Sequence, residues 1–329
     1  MKNVKILKLT NLTPLHIGTG TENYDFSGST LHSDTLSSAM AAIRAKKGKV
    51  NDVEEFLQSF SISSAFPFKD DTLFLPLPKG RLSVTVREKK ESDSRKQLKK
   101  LQYAQTQIWQ RIVMGEVVEV DEKQIRGAFL MNEAVDVDFH ISRRQVVERV
   151  SVSRTDGAQK SDPFFFEWTF FSKGCGLFVL VDAEDTVFEE VKSLMTALGE
   201  TGIGTDKSVG GGYFNVQEDV LAIDTPNDAN AIMLLSLFIP LKEEMDSIEL
   251  DKSSYSLVRR GGFMAGSSVN SFNHLRKKSV YMFDVGSVFP KNGEFCGNIV
   301  DLKPEWNDAA MHSVFRSGRA LTIPVKMTF

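Results

Sequence analysis

The sequence is poor in the residues that usually announce a chemistry. Its 329 residues hold only 2 cysteines, Cys175 and Cys296, which give no metal-ligand spacing and fit a reducing compartment. There are 5 histidines, but no His-Glu-x-x-His, no Gly-x-Ser-x-Gly and no paired zinc ligands, so no catalytic signature stands out. Basic charge is not in excess: the net charge is −3, so any nucleic-acid site must be local. No long hydrophobic run occurs. The stretch Met1 to Leu15 is too polar for a signal peptide, and Ala231 to Leu241 is too short to cross a bilayer. These absences point to a cytoplasmic protein. Tyrosine is scarce at 5 residues, whereas phenylalanine reaches 24. Many phenylalanines fall in runs such as PFFFEWTFF (Pro163 to Phe171), which reads as the core of a β-rich protein before it reads as a base-stacking platform.

What the chain does have is glycine, concentrated in one place. Thr201 to Phe214, TGIGTDKSVGGGYF, carries Gly202, Gly204, Gly210, Gly211 and Gly212 around Lys207 and Ser208. Such a loop can take positive φ and bring backbone N–H groups close to a ligand, and successive donors beside a lysine suit phosphate oxygens. The segment before it predicts a helix (186–199) and the segment after it a strand (213–217). That order is the reverse of a nucleotide-binding P-loop. Asp206 and Thr201 stand where a Walker A motif needs glycines, and Lys207 stands where a dinucleotide fingerprint needs its third glycine. The plain alternative is a flexible turn.

Hydrophobic residues make up 41% and charged residues 25%, as in a soluble globular protein of one large domain or two ordinary ones. Val4 to Thr10 alternates like a half-buried strand and enters a loop with His16, Gly18 and Gly20. A helix follows, with Ser33 or Asp34 as its N-cap, then a short helix over 53–60 and an edge strand over 73–78. The run Arg87 to Lys100 is highly charged and reads as a solvated face. Val118 to Leu130 reads as an insertion with local strands. Gln145 to Thr155 and Pro163 to Phe171 form a hairpin about the turn 156–162. A buried strand over 176–182 and an amphipathic helix over 186–198 lead to the glycine loop. Without the insertion, the order is β-α-β-β-α-β, the ferredoxin-like order. A polar linker is expected over 219–230. The strand-rich remainder, including 231–240, 255–263, 280–289 and 320–327, reads as a degenerate second copy. The expectation is therefore an α+β protein of two tandem ferredoxin-like domains, 1–220 with the insertion and hairpin, and 221–329.

Positive charge is segregated. Lys252 to Phe283 contains no acid and holds Arg259, Arg260, Arg276, Lys277 and Lys278. The hairpin carries Arg143, Arg144, Arg149 and Arg154, and the C-terminal run adds Arg316, Arg319 and Lys326. Such stretches supply sequence-independent affinity for phosphates, with glycines beside them admitting backbone amides. The competing reading is that these charges lie on separate surfaces. His16 and His32 flank the first loop, where an acid or base for RNA cleavage could sit. His32 and Asp34 also fit a simple helix cap.

In order, PLHIGTG, HSDTLSSAM, the arginine-bearing hairpin and GIGTDKSVGGGYF resemble the RAMP proteins of CRISPR systems. RRGGFMAGSS, FDVGSVF and VFRSGRALTIPV sharpen this to a resemblance, over nearly the whole chain, to the fourth-subunit family of type III-A (Csm) effector complexes. The corresponding type III-B (Cmr) subunits are the nearest rival. The resemblance implies two ferredoxin-like domains, and a noncatalytic subunit that holds the 5′ tag of crRNA, without cofactor or metal. It also implies that the subunit caps a filament of backbone RAMP subunits and joins the large polymerase-like subunit. Target RNA is met indirectly and no membrane is involved. Carried over by position, the RNA contacts are His16, Gly18, Ser33, Asp34, Arg149, Arg154, Gly202, Gly204, Lys207, Ser208, Gly210, Gly211, Gly212, Arg259, Arg260, Gly261, Gly286 and Ser287. The alternatives are a RAMP endoribonuclease that matures crRNA, with His16 or His32 as acid or base, and a structural β-rich interaction protein whose glycine loop is only a turn.

Overall fold

The strand Lys2–Thr10 is the axis of the first half. It pairs antiparallel with Asn215–Ile223 on one side and with Cys175–Ala183 on the other. The latter pairs in turn with Phe60–Ile62 and Phe66–Lys69. Counted along the chain without the insertion, the strands lie in the order fourth, first, third, second. In this computed structural model the described residues are 2–19, 24–88, 91–134, 139–152, 161–264, 269, 272, 275–305, 308 and 311–327.

The sheet has two buried faces, for a reason visible in the first strand. Leu7 and Leu9 point to one side and pack under the helices Ser33–Lys46 and Asp185–Thr201, through Leu36, Met40, Phe188, Val191, Leu194, Met195 and Leu198. The apolar stripe of the second helix recurs at helical spacing, which is why it lies flat on the sheet. Ile6, on the other side, belongs with Phe66, Phe178 and Leu180 to a cluster that also takes in Trp109, Leu235, Val288 and Ile323. The strand is therefore covered on both faces rather than half-buried, and even Lys8 is only 7% exposed, held by Asp219 at 2.7 Å.

The insertion widens the sheet. Thr72–Pro76 pairs with Phe66–Lys69, and Tyr103–Gln105, Phe129–Leu130 and Ile125–Arg126 follow outward. The helix Thr106–Val113 closes over them. Its Trp109 is fully buried and donates its indole N–H to the Pro76 carbonyl at 2.7 Å, the partner a buried indole requires. The charged run 87–100 contains the short helix Glu91–Leu98. The hairpin Ser142–Val152 and Ser161–Phe171 is paired along its whole length; the middle of its turn, 153–160, lies outside the described residues.

The expected linker over 219–230 is corrected. Val220, Leu221 and Ile223 continue the strand Asn215–Ile223, with Leu221 and Ile223 buried, so the connection between the halves begins at Asp224. Beyond it, Ala231–Leu234 pairs antiparallel with Val288–Pro290 and Thr322–Val325. The hairpins Leu257–Arg260 with Val280–Phe283, and Ile299–Asp301 with Phe315–Ser317, stand apart from that sheet. Among the described residues this half carries 3-10 turns but no α-helix. No helix of the described residues is long and apolar enough to cross a membrane.

Candidate nucleic-acid interface

Three segments far apart in sequence are laced together at one end of the sheet. They are the first loop, the hairpin and the glycine loop. Leu15 makes a two-way backbone bridge with Thr169 of the hairpin, both bonds 2.9 Å. The Gly212 N–H donates to the Pro14 carbonyl at 2.9 Å and the Thr205 N–H to the His16 carbonyl at 3.1 Å. Arg149 crosses from the hairpin to the Asp206 carboxylate, and its guanidinium lies 4.6 Å from the Phe166 ring and 5.4 Å from the Trp168 ring. Glu167 ties the same corner: its carboxylate accepts the Ser27 N–H at 2.7 Å and lies 3.7 Å from Arg144.

The glycines explain the loop's shape. Gly202, Gly204, Gly210 and Gly212 all have positive φ. A Cβ on Gly204 would come 2.3 Å from the His16 carbonyl oxygen, and one on Gly211 2.6 Å from the Trp168 ring. The loop is thus pressed against its neighbours. The N–H groups of Ile203, Thr205, Val209, Gly210, Gly211, Gly212 and Tyr213 are spent inside the protein. This narrows the expected cradle of backbone donors. What faces outward is the crown Lys207 to Gly210, all exposed, with Gly18, Arg143 and Arg144 also exposed nearby in the same three segments.

The predicted contacts divide into groups. His16, Gly18, Arg149, Gly202, Gly204, Lys207, Ser208, Gly210, Gly211 and Gly212 belong to the laced corner. Within it His16 is 1% exposed, packs against Phe166 at 4.4 Å and donates from Nδ1 to the Glu167 carbonyl at 2.8 Å. It therefore supports the corner from within. Arg154 lies outside the described residues. Arg259 is exposed on the hairpin of the second half, with one bond to the Ser279 hydroxyl at 3.2 Å.

Ser33, Asp34, Arg260, Gly286 and Ser287 lie instead in the joint between the halves, with partners inside the protein. Asp34 is fully buried and is not a cap, because the cap position is His32. Its carboxylate accepts from Arg260 Nε at 2.9 Å and Nη2 at 3.1 Å, and also from Arg316 Nη1. Arg316 further reaches the Gly261 carbonyl at 3.3 Å. Burial pushes the Arg260 guanidinium below its ordinary value and brings Arg316 down to about 10. The Ser33 hydroxyl accepts the Leu237 N–H at 2.9 Å. The Gly286 carbonyl accepts the Lys79 N–H at 2.7 Å, and a Cβ there would strike the Leu77 carbonyl oxygen at 2.6 Å. Ser287 is fully buried and donates its hydroxyl to the Asp284 carbonyl at 2.6 Å.

His32 sits in the same joint. Its Nδ1 is sealed from solvent without a partner, and burial, then Arg260, lowers its pKa to about 4. Sequence reading missed Glu167, Asp206 and Arg316 as organising residues. All three are fixed by pairing between segments far apart in the sequence.

Residues 8–215 match the model of the RAMP superfamily, and residues 227–325 match the model described as the CRISPR Csm4 C-terminal domain. The chain belongs to the RAMP superfamily, in its Csm4 family. A relative named "CRISPR system Cms protein Csm4" from Mycobacterium tuberculosis (strain CDC 1551 / Oshkosh) is 32% identical over 170 residues, 50% of this chain and 52% of that one. The chain thus spans about half the length of that relative in the match. One of the same name from Thermococcus onnurineus (strain NA1) is 26% identical over 263 residues, 77% of this chain and 81% of that one. A chain in the crystal structure of a Csm3-Csm4 subcomplex in the type III-A CRISPR-Cas interference complex superposes with a TM-score of 0.66 at 18% identity, covering 98% of this chain and 100% of that one. A chain of a Csm1-Csm4 cassette in complex with cA4 does so at 0.63 and 18%, covering all of both. At that identity the likeness is one of fold, an α+β RAMP fold.

Proposed function

We propose that this Csm4-family RAMP protein is the noncatalytic subunit that holds the 5′ tag of crRNA in a type III-A effector complex. In this reading it caps the filament of backbone RAMP subunits and docks the large subunit. It meets target RNA only through the guide, and works in the cytoplasm without a cofactor. The observation that carries the RNA reading is the laced corner. The rigid junction of three segments presents Lys207, Ser208, Arg143 and Arg144 outward, and cations on a fixed surface suit a phosphate backbone. The hairpin acts as the thumb, with Val146, Val150 and Phe165 exposed at 50%, 54% and 56%, an apolar face that contact with bases or a partner would cover.

The noncatalytic part rests on the two histidines a nuclease would use. His16 is packed beneath the loop, and His32 is held neutral in the joint with its pKa near 4. A general acid or base must reach the scissile group and titrate near working pH, and neither histidine is placed to do so. The partners follow from the relatives: the solved structures with this fold contain Csm4 with Csm3 and with Csm1. The division into tandem ferredoxin-like units, expected at 1–220 and 221–329, is part of the same proposal, with the boundary moved past Ile223, where the last strand of the first sheet ends. The first sheet's strand order supports the first unit, and the antiparallel sheet around Ala231–Leu234 supports the second.

The test uses the purified full chain and labelled RNA bearing a repeat-derived 5′ tag, in EDTA. The expected result is retention of intact RNA. Failure to retain it would refute the RNA reading, and cleavage abolished by His16→Ala or His32→Ala would make the chain a maturation nuclease instead.

A further inference from the structure

A cleft of about 390 Å³ opens beside the laced corner, between the first loop, the base of the hairpin and the insertion. Its size falls in the ordinary range for a small-molecule site. Three rings line it: Tyr103, Phe129 and Phe139. Tyr103 and Phe129 stack with centroids 5.6 Å apart, and Phe139 stands edge-on to Phe129 at 5.5 Å. All three are only half-buried, although the fully buried Phe74 beneath them is there to pack against. Rings left part-open in a concave site offer a ligand an apolar surface.

The lining also has a charge character. It includes Arg126 and the exposed Arg144, and none of the residues lining it is acidic, the nearest counter-charge to Arg144 being Glu167 at 3.7 Å. Lys69 adds its ammonium 5.3 Å from the Phe139 ring. A flat apolar group would be attracted by the rings, and an anionic group attached to it by the cations at the rim. A nucleotide combines both in one ligand. An apolar peptide side chain would use the rings and leave the cations unused.

We propose that this cleft takes one unstacked nucleobase of a bound single-stranded RNA, with the base against Phe129 and Phe139 and its phosphate toward Arg144. The inference rests on the RNA-binding reading and adds a stacking site outside the glycine loop and the thumb.

The test pairs a map with two variants of the full chain. Single-stranded RNA carrying thiouridine at successive positions is irradiated on the protein, and the crosslinked peptides are identified. Phe139→Leu removes a ring but keeps an apolar side chain, and Ser29→Trp fills the mouth from an exposed lining position; both are checked for an unchanged melting temperature. The expected result is one RNA position that crosslinks to the peptides around Phe129 and Phe139. Each variant should also lose about tenfold in RNA affinity, within the range base–aromatic stacking supplies. Wild-type affinity in both variants, with crosslinks confined to the glycine loop and hairpin, would overturn the cleft site while leaving RNA binding intact. So would Ser29→Trp losing a partner subunit in pull-down while keeping its RNA. No RNA binding by the unaltered chain would overturn the reading on which the site rests.

Discussion

Asp34, on the first helix, holds the guanidinium of Arg260, 226 residues further along the chain, through two hydrogen bonds of 2.9 and 3.1 Å. Arg316 Nη1 joins the same carboxylate at Oδ2, the oxygen that Arg260 Nε also uses. One buried anion thus receives two cations from the second half. Desolvating three charged groups is costly, and their attraction offsets that cost only while all are present. The cluster therefore fixes how the halves meet more than it adds net stability.

Asp34→Asn should accordingly be severe. It keeps the shape but leaves two buried guanidiniums without a counter-charge. The expected loss is about 3–5 kcal/mol, the range for breaking a buried pair, read from urea unfolding. Arg260→Met in the same background should recover part of it by removing one stranded charge. A single Asp34→Asn variant as stable as the parent would show that the cluster does not hold the joint.

The same joint predicts an acid sensitivity. The folded protein keeps His32 neutral down to about pH 4, whereas the unfolded chain protonates it at its ordinary 6.5. Between those values the unfolded state binds more protons, so stability falls as pH drops through that window and is unaffected by this group above it. The steepest contribution is about 1.4 kcal/mol per pH unit. The groups facing the ring are Arg260, Asp284, Lys79 and Arg316. Replacing His32 with Gln removes the titration and should flatten the pH dependence of the unfolding midpoint between 4 and 6.5. An unchanged slope would assign the acid sensitivity to carboxylates instead.

Local pattern made the elements of the first half legible. The apolar stripe of Asp185–Thr201, the alternation in Lys2–Thr10 and the glycine loop between helix and strand all announce themselves within a dozen residues. Pairings across hundreds of residues do not. Ser33 and Asp34 precede a helix and so look like caps or loop contacts, and nothing nearby reveals that Leu237, Arg260 and Arg316 will meet them. Gly286 and Ser287 look like a ligand-binding turn for the same reason: a tight turn pressed against Leu77 and Lys79 has the same glycine signature as one pressed against RNA. The laced corner was legible in its glycines and arginines. Glu167 and Asp206, which tie it together, were not, because a lone acid near basic residues reads as a solvated charge.

The glycine loop separates structure from binding. A Cβ at Gly212 would fall 1.8 Å from the Ile203 carbonyl oxygen, whereas Gly210 has open space around it and only its positive φ to satisfy. Gly212→Ala should therefore cost about 3 kcal/mol or more, as backbone collisions in special conformations do. Gly210→Ala should cost about 1 kcal/mol, the strain of a non-glycine residue in that region. Thermal unfolding ranks the two. The Gly210→Ala protein, still folded, then reports whether the exposed crown contacts RNA: weaker retention is expected, and full retention would place the RNA elsewhere on the corner.

Arg259 and Arg260 are neighbours in sequence with opposite fates, and their separation is the sharpest test of where the basic hairpin of the second half acts. Arg260 is locked to Asp34, so Arg260→Ala should lower stability and reach RNA only through that loss. Arg259 is exposed and bonded to a single hydroxyl, with Tyr281 directly across the hairpin and 64% exposed. If this face meets RNA, Arg259→Ala should leave unfolding unchanged and flatten the slope of log K against log salt by about 0.7, the contribution of one phosphate contact on a single strand. If it meets a partner subunit, the slope should stay and pull-down of that subunit should weaken, since arginine beside an exposed tyrosine is also what a protein interface favours. Measuring salt slope and pull-down on this one stable variant assigns the face to RNA or to protein.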